Sequence, residues 1–441
     1  MNRICRSTLS LVLAGALLVP AGAAFAAEDG AEITRSQFAR VLWEEAGRPA
    51  AEAGEFFADV APGDANYTAI LWCAQNGVAV GGGDRLFQPD VSVTREQAAV
   101  MLHNLAEANG DGIIASDSLS GVSDAAAIAG WARSDVQWAV AKTILTQEEG
   151  SVDPKGGLTQ TEAESMARRY TLTAQSYHSL GLTGVGNARQ LGGYVTADGR
   201  TVKDGVLLRT AALSGATQED LDKLAALNLT EIVDFRTTAE REASPDPVLE
   251  GVTNTQINVM GDSGDTAASA VTGIYGDDPV QAMLDIIDSG LVGEDMYVNL
   301  LLNENGLAAY RAFFALLLEQ EEGEAILWHC TGGKDRAGTA AVLLLSALGV
   351  DRETALQDFV LTNDFNAASI AYMAQAAQAK GADEATVQAV RNLVGVDYNA
   401  MADLLDAIDA QYGSMDAFLT AEDGLALTQA QLTQLRDLYL D

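Results

Sequence analysis

The stretch "EAILWHCTGGKDRAGTAAVLLLSALG", residues 324–349, decides the fold of the region around it. It opens with a short apolar run that ends at His329, which is typical of a buried strand. A longer apolar run follows Arg336 and has the length of a buried helix. The glycines between the two runs allow backbone N–H groups to face one centre, and the helix directs its positive end there. The stretch therefore predicts a strand, an anion-binding turn and a helix.

Neighbouring segments extend this unit into a domain. The runs "VLLRT" at residues 206–210 and "TEIVDF" at 230–235 are typical of strands. Helical patterns separate them and continue to the end of the chain, so we expect a parallel or mixed sheet with a helical C-terminal part. The predicted α/β domain covers residues 187–441, and residues 173–186 are predicted to be a linker.

The predicted turn also contains reactive side chains. Its inward amides, the helix end and nearby cations favour the thiolate form of Cys330. Arg336 offers a planar fork for two phosphate oxygens, so the thiolate would face a bound phosphoryl group. Attack at phosphorus would give a phosphocysteine that water then hydrolyses. Asp335, the nearest carboxylate in sequence, could transfer the protons, and Asp364 is the alternative acid.

These residues resemble a known family. "HC", five residues and "R", at His329, Cys330 and Arg336, with "GKDR" inside, are similar to the atypical bacterial tyrosine/lipid branch of the cysteine-dependent phosphatases. Four further stretches match that branch: "NARQLGGY" from 187, "LLRTAALS" from 207, "DFRTTAERE" from 234 and "DFVLTND" from 358. The resemblance implies a phosphatase for phosphotyrosine, and sometimes phosphoserine, phosphothreonine or phosphoinositides. It implies Cys330 as nucleophile, Asp335 as general acid and Arg336 as phosphate ligand.

The resemblance also implies residues that bind the substrate or support the loop. The substrate-binding set is Thr331, Gly332, Gly333, Lys334, Ala337 and Gly338. The supporting set is His329, Asp234, Arg236 and Arg189, although Asp234 and Arg236 could equally form a structural pair at a strand end. Lys334 could instead be a solvated surface residue, and Cys330 alone could be a core thiol.

Three residues depart from the family pattern, one in the turn and two in the family's first block. Ala337 stands where a serine or threonine usually stabilises the leaving thiolate. Loss of one hydrogen bond of ~1.4 kcal/mol would slow phosphocysteine hydrolysis ~10-fold. Ala188 and Gln190 also differ from the family's first block, which weakens the expectation for Arg189.

The N-terminal third contains an internal repeat. "ITRSQFARVL", "VTREQAAVML" and "LTQTEAESMA" begin at Ile33, Val93 and Leu158, and each opens with a capping-box pattern that predicts a helix start. With "FFADV" at 56–60 and "FQPD" at 87–90, the repeats resemble the mostly helical surface-layer homology (SLH) domain, here assigned to residues 27–172.

That resemblance implies attachment to anionic cell-wall polysaccharide. Arg35 and Arg95 are the candidate ligands, because each lies beside a predicted helix N-terminus. The third repeat has Gln160 at the matching position, so its groove is expected to be weak. Without the repeat, both arginines would be read as ordinary surface charges.

Composition and the N-terminus limit the location and the partners. A basic start, an apolar core and a small-x-small motif ending at Ala26 predict an export signal over residues 1–26. The net charge of −36 disfavours nucleic acid and anionic lipid surfaces as partners. No later segment has the ~18 apolar residues of a membrane span, and Cys73 and Cys330 alone would follow the signal, so a disulfide framework is not expected. We expect no metal and no organic cofactor.

The sequence predicts a secreted, wall-attached phosphatase with a signal segment, an SLH-like module and an α/β domain. A non-hydrolytic phosphate-binding surface protein is the main alternative, and a sulfur transferase is the third. The long interval from Thr237 to Leu327 is expected to cover the pocket and limit substrate size.

Overall fold

The computed structural model describes residues 31–52, 54–81, 85–112, 119–148, 150–261, 278–289 and 295–441. The predicted export signal, residues 1–26, lies outside these ranges, as does part of the interval expected to cover the pocket. Within the described ranges, no helix combines the length and the apolar character needed to cross a lipid bilayer.

The N-terminal module is helical. Its α-helices are α1 (Arg35–Glu45), α2 (Tyr67–Gln75), α3 (Arg95–Asn109), α4 (Arg133–Ala141), α5 (Gln160–Thr173) and α6 (Gln175–His178), with 3-10 turns at Leu119–Gly121, Ala125–Ala127 and Gly130–Ala132. Helices α1, α3 and α5 each begin with a complete capping box, as predicted from the repeat.

The three repeats contact one another and form a closed ring. Isolated β-bridges join Thr34 to Ser92, Thr94 to Gly157, and Glu32 to Thr159, so each repeat start pairs with the segment before the next one. One apolar core lies inside the resulting ring and includes Trp138 and Cys73. Cys73 is buried and free, and burial raises its pKa to about 12, which makes this thiol unreactive.

The second domain is built on a mixed five-stranded sheet. Its strands are β1 (Arg189–Gln190), β2 (Leu207–Thr210), β3 (Leu229–Asp234), β4 (Thr253–Gln256) and β5 (Ala325–His329), in the order β1-β2-β5-β3-β4. Strand β1 runs antiparallel to β2, and the other neighbours are parallel. Thr210 and Asp234 both pair with His329, so the carboxyl ends of three strands meet where the predicted turn begins.

Helices surround this sheet. They are α7 (Gln218–Ala225), α8 (Thr238–Ala243), α9 (Pro279–Asp288), α10 (Met296–Leu301), α11 (Glu304–Glu319), α12 (Arg336–Leu348), α13 (Arg352–Phe365), α14 (Ala367–Ala379), α15 (Glu384–Val394), α16 (Tyr398–Tyr412), α17 (Met415–Thr420) and α18 (Gln429–Tyr439), with a 3-10 turn at Leu213–Gly215. Because 11 of the 13 residues of α12 are buried, it is the central helix of the domain. The expected multidomain layout, with a helical module before an α/β domain, is confirmed.

The two modules are in direct contact. Helix α6 lies inside the expected linker, and its His178 is buried between carbonyl oxygens of Leu172 and Gln190, at 2.9 and 3.0 Å. Lys142, at the end of α4, forms an ion pair with Asp364 of α13 at 2.5 Å. Asp364, the alternative acid, therefore lies at the junction between the modules.

Candidate active site

The turn after β5 is shaped by a required glycine and by donors that hold its carbonyl groups. Gly333 has φ +66°, and a Cβ there would lie 2.3 Å from the carbonyl oxygen of Thr210. Arg209 Nη2 and Asn187 Nδ2 both donate to the Gly333 carbonyl, at 2.9 and 3.0 Å. Because carbonyl oxygens of the turn point outward to these donors, its N–H groups are available to an anion on the inner side. Cys330 begins this turn and is buried.

One buried carboxylate fixes those donors. Asp358 of α13 accepts from Arg189 Nε at 3.2 Å and from Arg209 Nη1 at 2.9 Å. Burial raises the pKa of Asp358, but the two guanidinium groups outweigh it and lower the pKa overall. Burial is also the main reason that the pKa of Arg209 falls to about 10. Arg189 donates in turn to Asn187, so its support of the turn is indirect.

Arg336 is held by a residue that sequence reasoning missed. Its Nη1 and Nη2 donate to the two carboxylate oxygens of Glu240, at 2.7 and 2.8 Å, and Thr331 Oγ1 donates to the same carboxylate. Burial raises the pKa of Glu240, but these bonds outweigh it and lower the value to about 2. The sequence signal was the capping box of α8, in which Thr237 pairs with Glu240. Arg336 Nη1 and Nη2 also donate to the Phe235 carbonyl at 3.4 Å and to Thr331 Oγ1 at 3.3 Å. Of the five N–H donors of this guanidinium, Nε–H is therefore the one that these bonds leave for a phosphate.

A second buried ionic group lies behind the turn. Arg236 bridges Asp234 Oδ2 at 2.8 Å and Asp246 Oδ2 at 2.5 Å. His329 Nε2 lies 3.2 Å from Asp246, and its Nδ1 lies 3.2 Å from the Cys330 carbonyl oxygen. Among the described residues, Asp234, Asp246 and His329 are the one set spaced to hold a metal ion, but both carboxylates already form ion pairs with the Arg236 guanidinium. This contact between Asp234 and Arg236 favours a structural ion pair over a direct role in binding phosphate.

The end of the turn places the predicted acid. Asp335 is the N-cap residue of α12, and its carboxylate contacts Lys334 Nζ at 3.1 Å and the Tyr297 hydroxyl at 2.8 Å. Ala337 is buried in the first turn of α12. Gly338 packs closely, because a Cβ there would lie 3.0 Å from the Arg209 and Phe359 side chains, which would have to shift.

The predicted wall-binding arginines differ in their surroundings. Arg35 Nε donates to the Phe87 carbonyl at 2.8 Å, and its guanidinium lies 5.1 Å from the Phe87 ring centroid. Arg95 donates to the Gly157 carbonyl at 2.8 Å and forms a short ion pair with Glu162.

Comparison with known proteins agrees with this geometry. Residues 180–441 match the model described as "Tyrosine phosphatase family", and residues 56–99 match the S-layer homology domain, a shorter range than the predicted module. A Cupriavidus necator protein named "Putative tyrosine-protein phosphatase" is 32% identical over 278 residues, which is 59% of this chain and 89% of that protein. The "Triple specificity protein phosphatase PtpB" of Mycobacterium tuberculosis is 24% identical over 59% of this chain and 98% of its own length.

A third relative covers less of either protein. The "Tyrosine-protein phosphatase" of Nostoc commune is 32% identical over 35% of this chain and 47% of its own length. The family match spans more than half of the chain and includes every element that builds the cysteine turn. The chain therefore belongs to the tyrosine phosphatase family and is a phosphoric monoester hydrolase that also carries an S-layer homology domain.

Proposed function

We propose that this protein is an exported, wall-attached phosphatase that hydrolyses phosphomonoesters through a phosphocysteine at Cys330. The observation that carries the proposal is the convergence at one turn of a buried thiol, backbone N–H groups, the start of α12 and a fixed Arg336. Each of these features favours an anion at the same place. The same features stabilise negative charge on sulfur.

The proposed reaction has two steps. The Cys330 thiolate attacks phosphorus, the bond from phosphorus to the leaving oxygen breaks, and Asp335 gives that oxygen a proton. Water then attacks the phosphocysteine, transfers its proton to Asp335 and releases inorganic phosphate with the thiolate. Arg336 and the N–H groups of the turn neutralise the phosphoryl oxygens in both steps.

The substrates are proposed from the family and from relatives. Two relatives are named tyrosine-protein phosphatases, and a third is named a triple specificity protein phosphatase. We assign phosphotyrosine to this chain as the first substrate, with phosphoserine, phosphothreonine and phosphoinositides as further candidates. Hydrolysis of aryl, peptide and inositol phosphates by the purified protein tests this assignment, and full activity of Cys330→Ser would refute the mechanism.

Ala337 is the observation that keeps a second function open. Because this residue has no hydroxyl to stabilise the departing thiolate, a protein that binds phosphate without turnover is the alternative. A rapid-mixing assay separates the two functions. Release of one equivalent of alcohol without further turnover supports the alternative, whereas continued turnover supports the phosphatase. Turnover of thiosulfate would instead indicate sulfur transfer.

The S-layer homology domain supports attachment at the cell surface, and we propose anionic wall polysaccharide as its ligand. Arg35 is the better candidate ligand, because its side-chain hydrogen bonds to described residues use only Nε. Arg95 is already neutralised by Glu162 and held by the Gly157 carbonyl. Export is tested by fractionating cells that express the full chain, and retention in the cytoplasm would refute it.

A further inference from the structure

The acid in the proposed reaction, Asp335, does not cap its own helix. An N-cap aspartate usually accepts a hydrogen bond from the first turn of its helix. Asp335 occupies the N-cap of α12 without such a bond, so its carboxylate is free to point elsewhere. Its Oδ1 accepts from the Tyr297 hydroxyl at 2.8 Å and from Lys334 Nζ at 3.3 Å, and Lys334 Nζ lies 3.1 Å from its Oδ2.

The tyrosine that reaches Asp335 is itself fixed. Tyr297 lies in α10 and is 1% exposed, and its ring meets the Phe359 ring edge-on with centroids 5.4 Å apart. Burial, followed by the charge of Asp335, raises the pKa of Tyr297 well above its ordinary value. The hydroxyl therefore stays protonated and donates to Oδ1 whether Asp335 carries a proton or a negative charge.

We propose that Tyr297 is a positioning residue that holds Oδ1 of Asp335, so that Oδ2 delivers the proton to the leaving oxygen. This inference rests on the role given to Asp335 under Proposed function. Lys334 Nζ contacts both carboxylate oxygens, so its charge stabilises the Asp335 carboxylate after Oδ2 has given up the proton. The family pattern in the turn does not include Tyr297, which lies 38 residues from Asp335 in sequence.

The inference predicts an effect that depends on the leaving group. When the bond from phosphorus to oxygen breaks, an ordinary phenolate needs a proton, whereas a nitrophenolate is stable as an anion. A mispositioned acid should therefore slow phenyl phosphate and spare p-nitrophenyl phosphate. A general loss of folding or of phosphate binding would slow both substrates equally.

The experiment compares kcat/KM, which reports the step that expels the leaving group and not the later hydrolysis of the phosphocysteine, for these two substrates in the full chain and four variants. The fourth variant combines Tyr297→Phe with Asp335→Asn. Tyr297→Phe removes one oxygen and keeps the ring on Phe359, and we expect a loss of about 10-fold on phenyl phosphate with less than about 2-fold on p-nitrophenyl phosphate. Asp335→Asn should show the same selectivity with a loss of about 100-fold. Tyr439→Phe is the matched control, since Tyr439 is also buried but donates to the Leu317 carbonyl. It should leave both rates unchanged.

The outcomes separate the inference from the proposed function. Suppose that Asp335→Asn slows phenyl phosphate selectively. The positioning role of Tyr297 is then overturned if Tyr297→Phe slows the hydrolysis of both substrates equally or of neither. If Asp335→Asn itself shows no selectivity, then Asp335 is not the acid, and both the proposed role and this inference fail. Tyr297→Phe should cause no further selective loss in the Asp335→Asn background, and an additive selective loss contradicts the inference.

Discussion

Replacing Glu240 by glutamine tests how the turn holds its arginine. The pKa of Glu240 falls from 4.5 to about 2, and its side chain is 6% exposed. A difference of about 2.5 pKa units at 1.36 kcal/mol per unit gives about 3 kcal/mol of stability from its charged form. Glutamine keeps one acceptor oxygen for the capping box of α8, so the substitution removes the charge and the bidentate contact with Arg336. We expect Glu240→Gln to lower the free energy of unfolding by about 3 kcal/mol at pH 7.

The stability lost in Glu240→Gln should be largest at neutral pH and smaller in acid. Because the pKa of Glu240 is lower in the folded protein, its contribution is complete above pH 4.5 and disappears as the pH falls from 4.5 to about 2. The difference between the original protein and the variant should therefore shrink to about 1 kcal/mol at pH 3. Other carboxylates titrate in both proteins and cancel in this comparison.

Urea unfolding at pH 7 and pH 3, with vanadate affinity at pH 7, measures the effect. Glu240→Gln should also weaken vanadate binding, because Arg336 loses its bidentate anchor. Asp220→Asn is the matched control: Asp220 accepts from Thr183 N and Gly184 N at 2.7 and 2.8 Å, away from the turn. It should lose stability and keep vanadate affinity. A Glu240→Gln effect of equal size at both pH values would refute the argument from ionisation.

Three further predictions concern Ala337 in the turn, the arginines proposed to bind the cell wall, and the ion pair between the two modules. Ala337→Ser should raise steady-state turnover about 10-fold without changing the initial burst, because it restores a hydroxyl near the leaving thiolate; stopped-flow assays measure both phases. Arg35→Ala should weaken sedimentation with purified cell walls several-fold, whereas Arg95→Ala should cost mainly module stability, because Arg95 pairs with Glu162. Lys142→Met should lower the free energy of unfolding by about 3 kcal/mol by leaving Asp364 unpaired, and adding Asp364→Asn should recover part of that loss in chemical denaturation.

Local patterns in the sequence are sufficient to predict the central strand and helix of the domain and the turn between them. Strand β5 and helix α12 follow from apolar runs: β5 is buried along its whole length, and α12 is buried at 11 of its 13 residues. The helix starts of the repeats follow from side chains three residues apart, which form capping boxes without help from the rest of the chain. These features depend on neighbouring residues, so a single sequence reveals them.

The remaining elements depend on distant contacts. Strand β1 has two residues, and β4 is a largely exposed strand of polar residues at the edge of the sheet, so neither has an apolar pattern. Tyr297 reaches Asp335 across 38 residues, and Arg95 reaches Glu162 across 67. A charge pair or hydrogen bond of this kind has no periodicity, so only the fold brings the two partners together.

The ion pairs of the site explain how it can bind an anion although the chain has a net charge of −36. The cations at the turn are paired with carboxylates: Arg336 with Glu240, Lys334 with Asp335, and both Arg209 and Arg189 with Asp358. These carboxylates largely offset the positive charge at long range, so the cations supply little attraction for a distant substrate. What remains is short-range and directional, from the unused Nε–H of Arg336, the backbone N–H groups and the start of α12. Such a site recognises a phosphoryl group by the positions of its oxygens, so it can bind phosphate even though the protein as a whole is acidic.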